Sequence, residues 1–582
     1  TGNRNYQNQA AGYRTFYAPQ QQTATGTAEQ WVRVHHAQSD EQLHTVRLEV
    51  WRSWDQKPLR AVAVDVLPPI PLPNWPGILG LLVGTWCAVL AMYQQVPIVW
   101  TRRIVLARLP MWLARLLQQG WAKSSAPFVA MGGLLMVGVG VRIGQWPVTL
   151  MGLALLAWAA LQRPALWLAA LLFGLPFYYT FPLPILPGRS LNLVDVGILG
   201  AIPVLCFHWL LSNPTQNKRA DLSRPTTRRS PSLFLWLLIT SWALVATFAA
   251  DDLGVALREW RVVFLNATLF ALLLHWMAQR SDNRDADRWL LVSAWIAGGT
   301  VVALVGLWQY ASGQMVIAAE GVWRVRAFYG SPNNLALYLE RTLAVTLALG
   351  LFTRAGWAQR GWRIMAAVQA VALLLTFSKG ALLLGLPALF ATLWAGGFIL
   401  LTQRNASRRL LWWIAGAGVL AFLAITPFLD TERFQRLLDF RQGTGFLRLQ
   451  LWQSAWQMAL DYPLLGVGPD NFLYHFRSHY ILPGAWQEPN LNHPHNWVLD
   501  WWTRLGLPGL TLALLFFTTL ITRLWRGLSK SAQPAVTLGV LAAVVAGLAH
   551  GLIDASYALP DLMIVWVLLA QFVGSAEHDA RK

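Results

Sequence analysis

The side chains best suited to chemistry lie between Arg448 and Asp554. The string His493-Pro494-His495-Asn496 sets two imidazoles one residue apart, directly before an apolar run that begins near Trp497. Imidazole titrates near neutrality, so it suits a base that takes a proton from a hydroxyl. Upstream, Arg448-Leu449-Gln450-Leu451-Trp452-Gln453-Ser454-Ala455-Trp456 has the apolar spacing of an amphipathic helix with Arg448 at its start. A guanidinium offers a planar fork of donors that matches two phosphate oxygens. Between these strings, Asp461-Tyr462-Pro463-Leu464-Leu465-Gly466-Val467-Gly468-Pro469-Asp470-Asn471-Phe472 reads as a glycine-proline turn region. No third Cys, His or carboxylate stands at ligand spacing from His493 and His495, so no metal site is expected.

The elements that must position these groups are membrane helices. Hydrophobic residues make up 55% of the 582 and charged residues 13%, with a mean hydropathy of +0.41. So few charges do not cover several soluble domains, and about fifteen apolar runs near 20 residues recur from Gly77 onward. The net charge of +19 sits mostly in short loops between those runs, with no basic stripe on a soluble domain, so nucleic acid is not an expected partner. Cys87 and Cys206 both fall in apolar runs and make no metal motif. The expected fold is an all-α polytopic membrane protein of about 12–15 spans with one large extracytoplasmic loop, 429–497. Residues 96–122, with Arg102, Arg103, Arg108 and Arg115 among Trp and Leu, read as an interfacial helix.

Loops 212–231, 279–288, 402–409 and 523–534 carry most of the basic loop residues and fall on one side, which is then cytoplasmic. This orientation brings the unusual polar residues to the opposite face. Asp195, Arg258, Arg261, Arg324, Arg326, Ser378-Lys379-Gly380, Arg448, His493, His495, Asn496, His550 and Asp554 all converge there. Each has an ordinary alternative: an arginine at a helix end snorkels to headgroups, and Asp195 caps its helix. Accumulation favours a site, because arginines on an outer face run against the positive-inside trend. Glu340-Arg341, deeper in the span 334–353, reads as a structural ion pair.

Residues 1–76 form a separate segment. Trp31–His35, Thr45–Trp51 and Ala61–Val66 read as short strands, followed by a Pro-rich linker from Pro68 to Pro76. The spans then divide into 77–160 and 161–575. Residue 1 is Thr with no signal peptide ahead of it, so the expectation is an excised or incomplete reading frame.

The order R-x-x-x-W, P-L-x-G-V-G-P-x-N-F, H-x-H-N and a G-x-x-G helix resembles the O-antigen ligase/O-antigen polymerase superfamily. The Arg258/Arg261 segment, Gly330-Ser331-Pro332-Asn333-Asn334 and Phe377-Ser378-Lys379-Gly380-Ala381 are similar to it as well, although the family usually has Arg where Lys379 stands. The resemblance covers roughly 160–575. It implies a multi-pass protein of the bacterial cytoplasmic membrane with its active site on the extracytoplasmic face and no cofactor. The implied reaction transfers a glycan from an undecaprenyl-diphosphate carrier to a hydroxyl of a glycan, lipid or protein acceptor. By this resemblance, Arg448 and Arg258 or Arg261 hold the diphosphate, and His495, with His493 second, is the base. Arg326, Lys379, Asn496, His550 and Asp554 are further substrate-binding candidates. Two other readings stay open: a flippase or exporter of lipid-linked oligosaccharide, with its cations along a two-sided cavity, and a non-catalytic scaffold.

Overall fold

The computed structural model describes four short strands near the N-terminus and residues 121–571, apart from 179–182, 187–188, 212–230, 282, 320, 424–425, 427–430, 432–442, 486–489 and 555–558. The chain divides into two compact units, Thr1–Pro97 and Ile98–Lys582. In the first, β1 (Gln9–Ala10) pairs with β2 (Tyr13–Arg14) and β3 (Gln22–Thr23) with β4 (Gly26–Thr27), all antiparallel. The strands expected over 31–66, the span 77–95 and nearly all of the helix 96–122 lie outside the described residues.

The second unit is helical. It opens with α1 (Trp121–Arg142), α2 (Trp146–Gln162), α3 (Ala165–Gly174) and α4 (Leu193–Leu211). Next come α5 (Pro231–Phe248), α6 (Leu253–Glu259), α7 (Asn266–Arg280) and α8 (Arg284–Ser312). Then follow α9 (Pro332–Phe352), α10 (Trp357–Leu374), α11 (Leu386–Gln403) and α12 (Arg409–Leu423). The last are α13 (Gly443–Asp461), α14 (Phe472–His475), α15 (Trp497–Gly527), α16 (Pro534–His550) and α17 (Pro560–Gln571). Among the described residues, seven helices are long and apolar enough to cross a membrane, and six shorter apolar helices accompany them. The hairpins Leu183–Leu186 with Arg189–Leu191 and Ile317–Ala319 with Val322–Arg324 are antiparallel.

The middle of the bundle is α9, which packs on α16, α10 and α8. Nearly every α9 residue is buried, and α16 and α17 are similarly enclosed. A helix enclosed on every side has no solvated face, which suits a bundle centre in lipid. The outer helices α1, α2 and α12 instead expose Phe128, Leu135, Leu150, Trp412 and Leu420. In a bilayer such side chains are in their preferred solvent.

Several boundaries differ from those the sequence suggests, each for a local reason. The helix containing Arg258 and Arg261 begins earlier, at Leu253, because the Asp252 carboxylate caps it by accepting from the Val255 N–H at 3.1 Å. Both arginines therefore lie within it, Arg261 in a π-helical turn over Trp260–Leu265. Ser378-Lys379-Gly380 opens a helix rather than closing one. Phe377 is left-handed (φ 46°), which ends the preceding turn, and a second π-helical turn, Ala381–Gly385, follows. Arg448 stands inside α13, not at its start, because that helix begins five residues earlier, at Gly443. The pair expected between Glu340 and Arg341 does not form. Glu340 bonds His550, while Arg341 donates to Leu337 O and lies over the Trp566 ring. Adjacent helical residues point to different sides, so Glu340 and Arg341 face different neighbours.

The described part of the long loop is itself folded. Leu451, Ala455 and Met458 of α13 pack on Val467, Phe472, Phe476 and Ala485 in a small apolar core, with Leu499 of α15 against it.

Candidate active site

The segment 493–496 is fixed on three sides. The Trp452 indole of α13 donates to Pro494 O at 3.0 Å. Asn496 caps α15, its Oδ1 accepting from the N–H groups of Val498 and Leu499 at 3.0 and 3.2 Å. Its Nδ2 donates to Leu552 O at 3.0 Å, and the Trp497 N–H donates to Gly551 O at 2.8 Å. The string is thereby stitched to the turn after α16. That turn delivers buried Asp554 to His495, Nδ1 to Oδ1 at 3.2 Å. His495 adopts φ 50°, a left-handed conformation that costs energy in residues other than glycine and recurs at functional sites. The His493 ring meets that of His495 edge-on with centroids 4.3 Å apart, and His493 Nδ1 accepts from the His495 backbone N–H at 3.3 Å.

The charges around this pair make Asp554 the acceptor. Burial alone would raise the Asp554 carboxyl, but the hydrogen bond and charge of His495, with the charges of His550 and Arg448, hold it well below the usual carboxylate range. An ionised carboxylate only accepts, so the His495 Nδ1–H donates to it and Nε2 lies on the ring's other edge. Burial, reinforced by the charges of His495 and Arg504 and opposed by Asp554, pushes His493 well below the ordinary histidine range. His493 is accordingly neutral at pH 7.

Arg448 is half-buried, and its Nη1 is enclosed without a hydrogen-bond partner among the described residues. Arg261 pairs with Asp195 (2.8 Å), which also accepts from Asn266 and closes a reciprocal turn with Asn192 at the start of α4. Arg258 is half-exposed, with its Nη2 3.5 Å from Asp470. Arg326 lies in a loop clamped by Gln309, whose Oε1 accepts from the N–H of Ala327 at 2.8 Å, and its Nε is buried without a partner among the described residues. Lys379 is buried beside Ser378. His550 is fully enclosed between Glu340 and Ser378 rather than open to a substrate. The structure thus brings His493, His495, Asn496 and Asp554 into contact, with Arg448 near Asp554.

The glycine-proline string has a different task. Gly466 (φ 66°) and Gly506 (φ 68°) let two backbones cross: Val467 N–H donates to Thr503 O at 2.7 Å, and Leu507 N–H to Pro463 O at 2.8 Å. A Cβ on Gly506 would fall 2.0 Å from Leu464 O, so only glycine fits the kink in α15. Asn471 then clasps Asp252, accepting from its N–H at 2.9 Å and donating to its carbonyl at 3.3 Å. This places the loop over the start of the helix that carries Arg258 and Arg261.

Buried charges missed in the sequence lie next to this crossing. Arg504 bonds both Glu259 and, at 3.2 Å, Asp500. The i,i+4 spacing of Asp500 and Arg504 inside an apolar helix was the available signal. Among the described residues no group of three or more His, Cys, Asp or Glu is placed to hold a metal.

Residues 364–514 match the family model described as O-antigen ligase. The match runs from within α10 to within α15 and contains Lys379, Arg448, His493, His495 and Asn496. It supports the O-antigen ligase/polymerase superfamily and, in general terms, O-antigen ligase-like glycosyl transfer. With the seven apolar helices, it supports a multi-pass protein of the bacterial inner membrane. A comparison with curated proteins finds no match.

Proposed function

We propose that the protein transfers a glycan from an undecaprenyl-diphosphate carrier to an acceptor hydroxyl at the extracytoplasmic face. The observation that carries this reading is the His495–Asp554 pair, with Arg448 Nη1, which has no hydrogen-bond partner among the described residues, close by. His495 Nε2 takes the acceptor proton as its oxygen attacks the anomeric carbon, and Asp554 stabilises the imidazolium that forms. The bond from the anomeric carbon to the diphosphate oxygen breaks, leaving undecaprenyl diphosphate with added negative charge. Arg448 meets that charge, so its contact strengthens as the bond breaks and lowers the barrier. Arg258 and Arg261, held by Asp470 and Asp195, line the approach for the anionic carrier, and Arg326 and Lys379 add positive charge. His493 stays neutral and supports the His495 backbone, while Asn496 fixes the helix start behind it.

The test is reconstitution. Purified protein in liposomes with carrier-linked donor and acceptor should release undecaprenyl diphosphate and form glycosylated acceptor without ATP or nucleotide sugar. Movement of donor across the bilayer without bond cleavage would establish the flippase reading instead.

A further inference from the structure

One cluster of buried polar side chains takes no direct part in that chemistry. Glu340 of α9, His550 at the end of α16 and Ser378 are all fully buried. His550 Nδ1 lies 2.9 Å from Glu340 Oε2, and its Nε2 lies 3.3 Å from Ser378 Oγ. Carboxylates are costly inside a membrane bundle and persist where they are paired. The backbone beside them is shaped to admit them. A Cβ on Gly380 would fall 2.2 Å from His550 Cδ2, and one on Gly385 would fall 2.4 Å from Glu340 Oε2. Any larger residue at either position displaces the ring or the carboxylate.

The cluster connects to the site through the backbone. The His550 carbonyl accepts from the N–H of Ile553 at 3.1 Å and of Asp554 at 3.2 Å. The same turn gives Gly551 O to Trp497 N–H and Leu552 O to Asn496 Nδ2, the bonds that seat the His495 string. The residue whose ring is held between Glu340 and Ser378 thus gives its backbone carbonyl to the turn carrying Asp554, and Ser378 stands next to Lys379.

We propose that Glu340, His550 and Ser378 form a buried positioning network that sets Asp554, and through it His495, for transfer; this rests on the glycosyl-transfer reading above. His550 then acts from behind the site, on its geometry, and touches no substrate. Glu340 fixes the orientation of the ring, and Ser378 fixes its distance from the start of the following helix.

The test is a double-mutant cycle in reconstituted full-length protein. Glu340→Gln and His550→Gln are each made alone and with Asp554→Asn, at equal amounts of inserted, monodisperse protein. Each alone should lower kcat about 10–100-fold, by analogy with residues that orient metal ligands from behind, while KM for donor stays within about two-fold. In the Asp554→Asn background the same changes should cost less than about two-fold, because the group they position is already disabled. Equal losses in both backgrounds, or a change confined to KM, would overturn the network. If these variants do not insert, Ser378→Ala, which removes the 3.3 Å contact to His550 and the 3.5 Å bond from the Ala381 N–H, takes their place in the same cycle with the same criterion. Absence of transfer by the wild-type protein would overturn the underlying reading and this role with it, whereas wild-type transfer with additive losses would overturn the network alone.

Discussion

His495 and Asp554 stand 59 residues apart in the chain, yet their side chains meet at 3.2 Å across the start of α15 and the turn after α16. The pairing has a direction. The carboxylate is enclosed and held ionised, the imidazole is about a quarter exposed, and its Nδ1–H is the donor to Asp554.

Asp554→Asn tests that direction. An amide can donate as well as accept, so it no longer enforces the proton on Nδ1 and gives the imidazolium no charge to lean on. Transfer should fall by about 10²–10⁴, the range of general acid–base contributions. Rates measured on carrier-linked donor check this, and a loss below ten-fold would count against the pair.

The same residue sets a stability dependence on pH. Because the folded-state pKa of Asp554 is depressed, its contribution is fully present above the ordinary carboxylate value of about 3.9 and is lost as pH falls below it. Thermal melts in detergent from pH 7 down to pH 3 should show an acid-induced drop for the wild type that is smaller in Asp554→Asn. Parallel curves would contradict the assignment.

Arg448 distinguishes shape from charge. If its guanidinium forks onto the diphosphate, Arg448→Lys should lose about 10²–10³ in rate, as when an oxyanion donor is removed, and Arg448→Ala at least as much. A near-native Lys variant would leave charge alone as the requirement. A near-native Ala variant would move the diphosphate to Arg258 and Arg261.

Gly506 tests the backbone crossing. With φ 68° and ψ −176° it occupies a region open essentially to glycine alone, so Gly506→Ala should cost about 1–3 kcal/mol from conformation, with the contact to Leu464 O adding to it. Gly416, helical with open space at its Cβ, is the control, and Gly416→Ala should be neutral or stabilising by up to about 1 kcal/mol. Equal melting temperatures for the two variants would sink the argument.

Orientation is tested by labelling. With Cys87 and Cys206 replaced, His479→Cys in the folded loop and Ser407→Cys in the basic loop offer exposed probes on the two proposed sides. An impermeant thiol reagent should reach position 479 in intact cells, and position 407 only after lysis. The reverse result would put the site on the cytoplasmic side.

Most of the helical framework was legible because apolar runs near 20 residues admit few alternatives. The expected spans from 126–142 to 560–575 each correspond to a described helix, with ends shifted by caps and turns that hydropathy does not register. Asp252 and Phe377 are examples, one capping a helix ahead of its apolar run and the other breaking the chain between two apolar stretches. The His493-Pro494-His495-Asn496 string was visible for its residue types, and Asp554 as a polar residue at a span end. Their contact was not, because nothing local in either segment encodes a meeting across 59 residues. Glu340 differs from its sequence context for the opposite reason: its neighbour Arg341 suggests a local pair, whereas the helix turns the two side chains apart and tertiary packing supplies His550. The glycine-proline string carried a strong motif signal whose observed role is to let two backbones cross.

The most direct measurement of the central claim is the single-turnover transfer rate of His495→Ala on carrier-linked donor, against wild type at equal inserted protein. The reading of His495 as the base requires a drop of about 10²–10⁴ with the donor still bound. A near-native rate would contradict it.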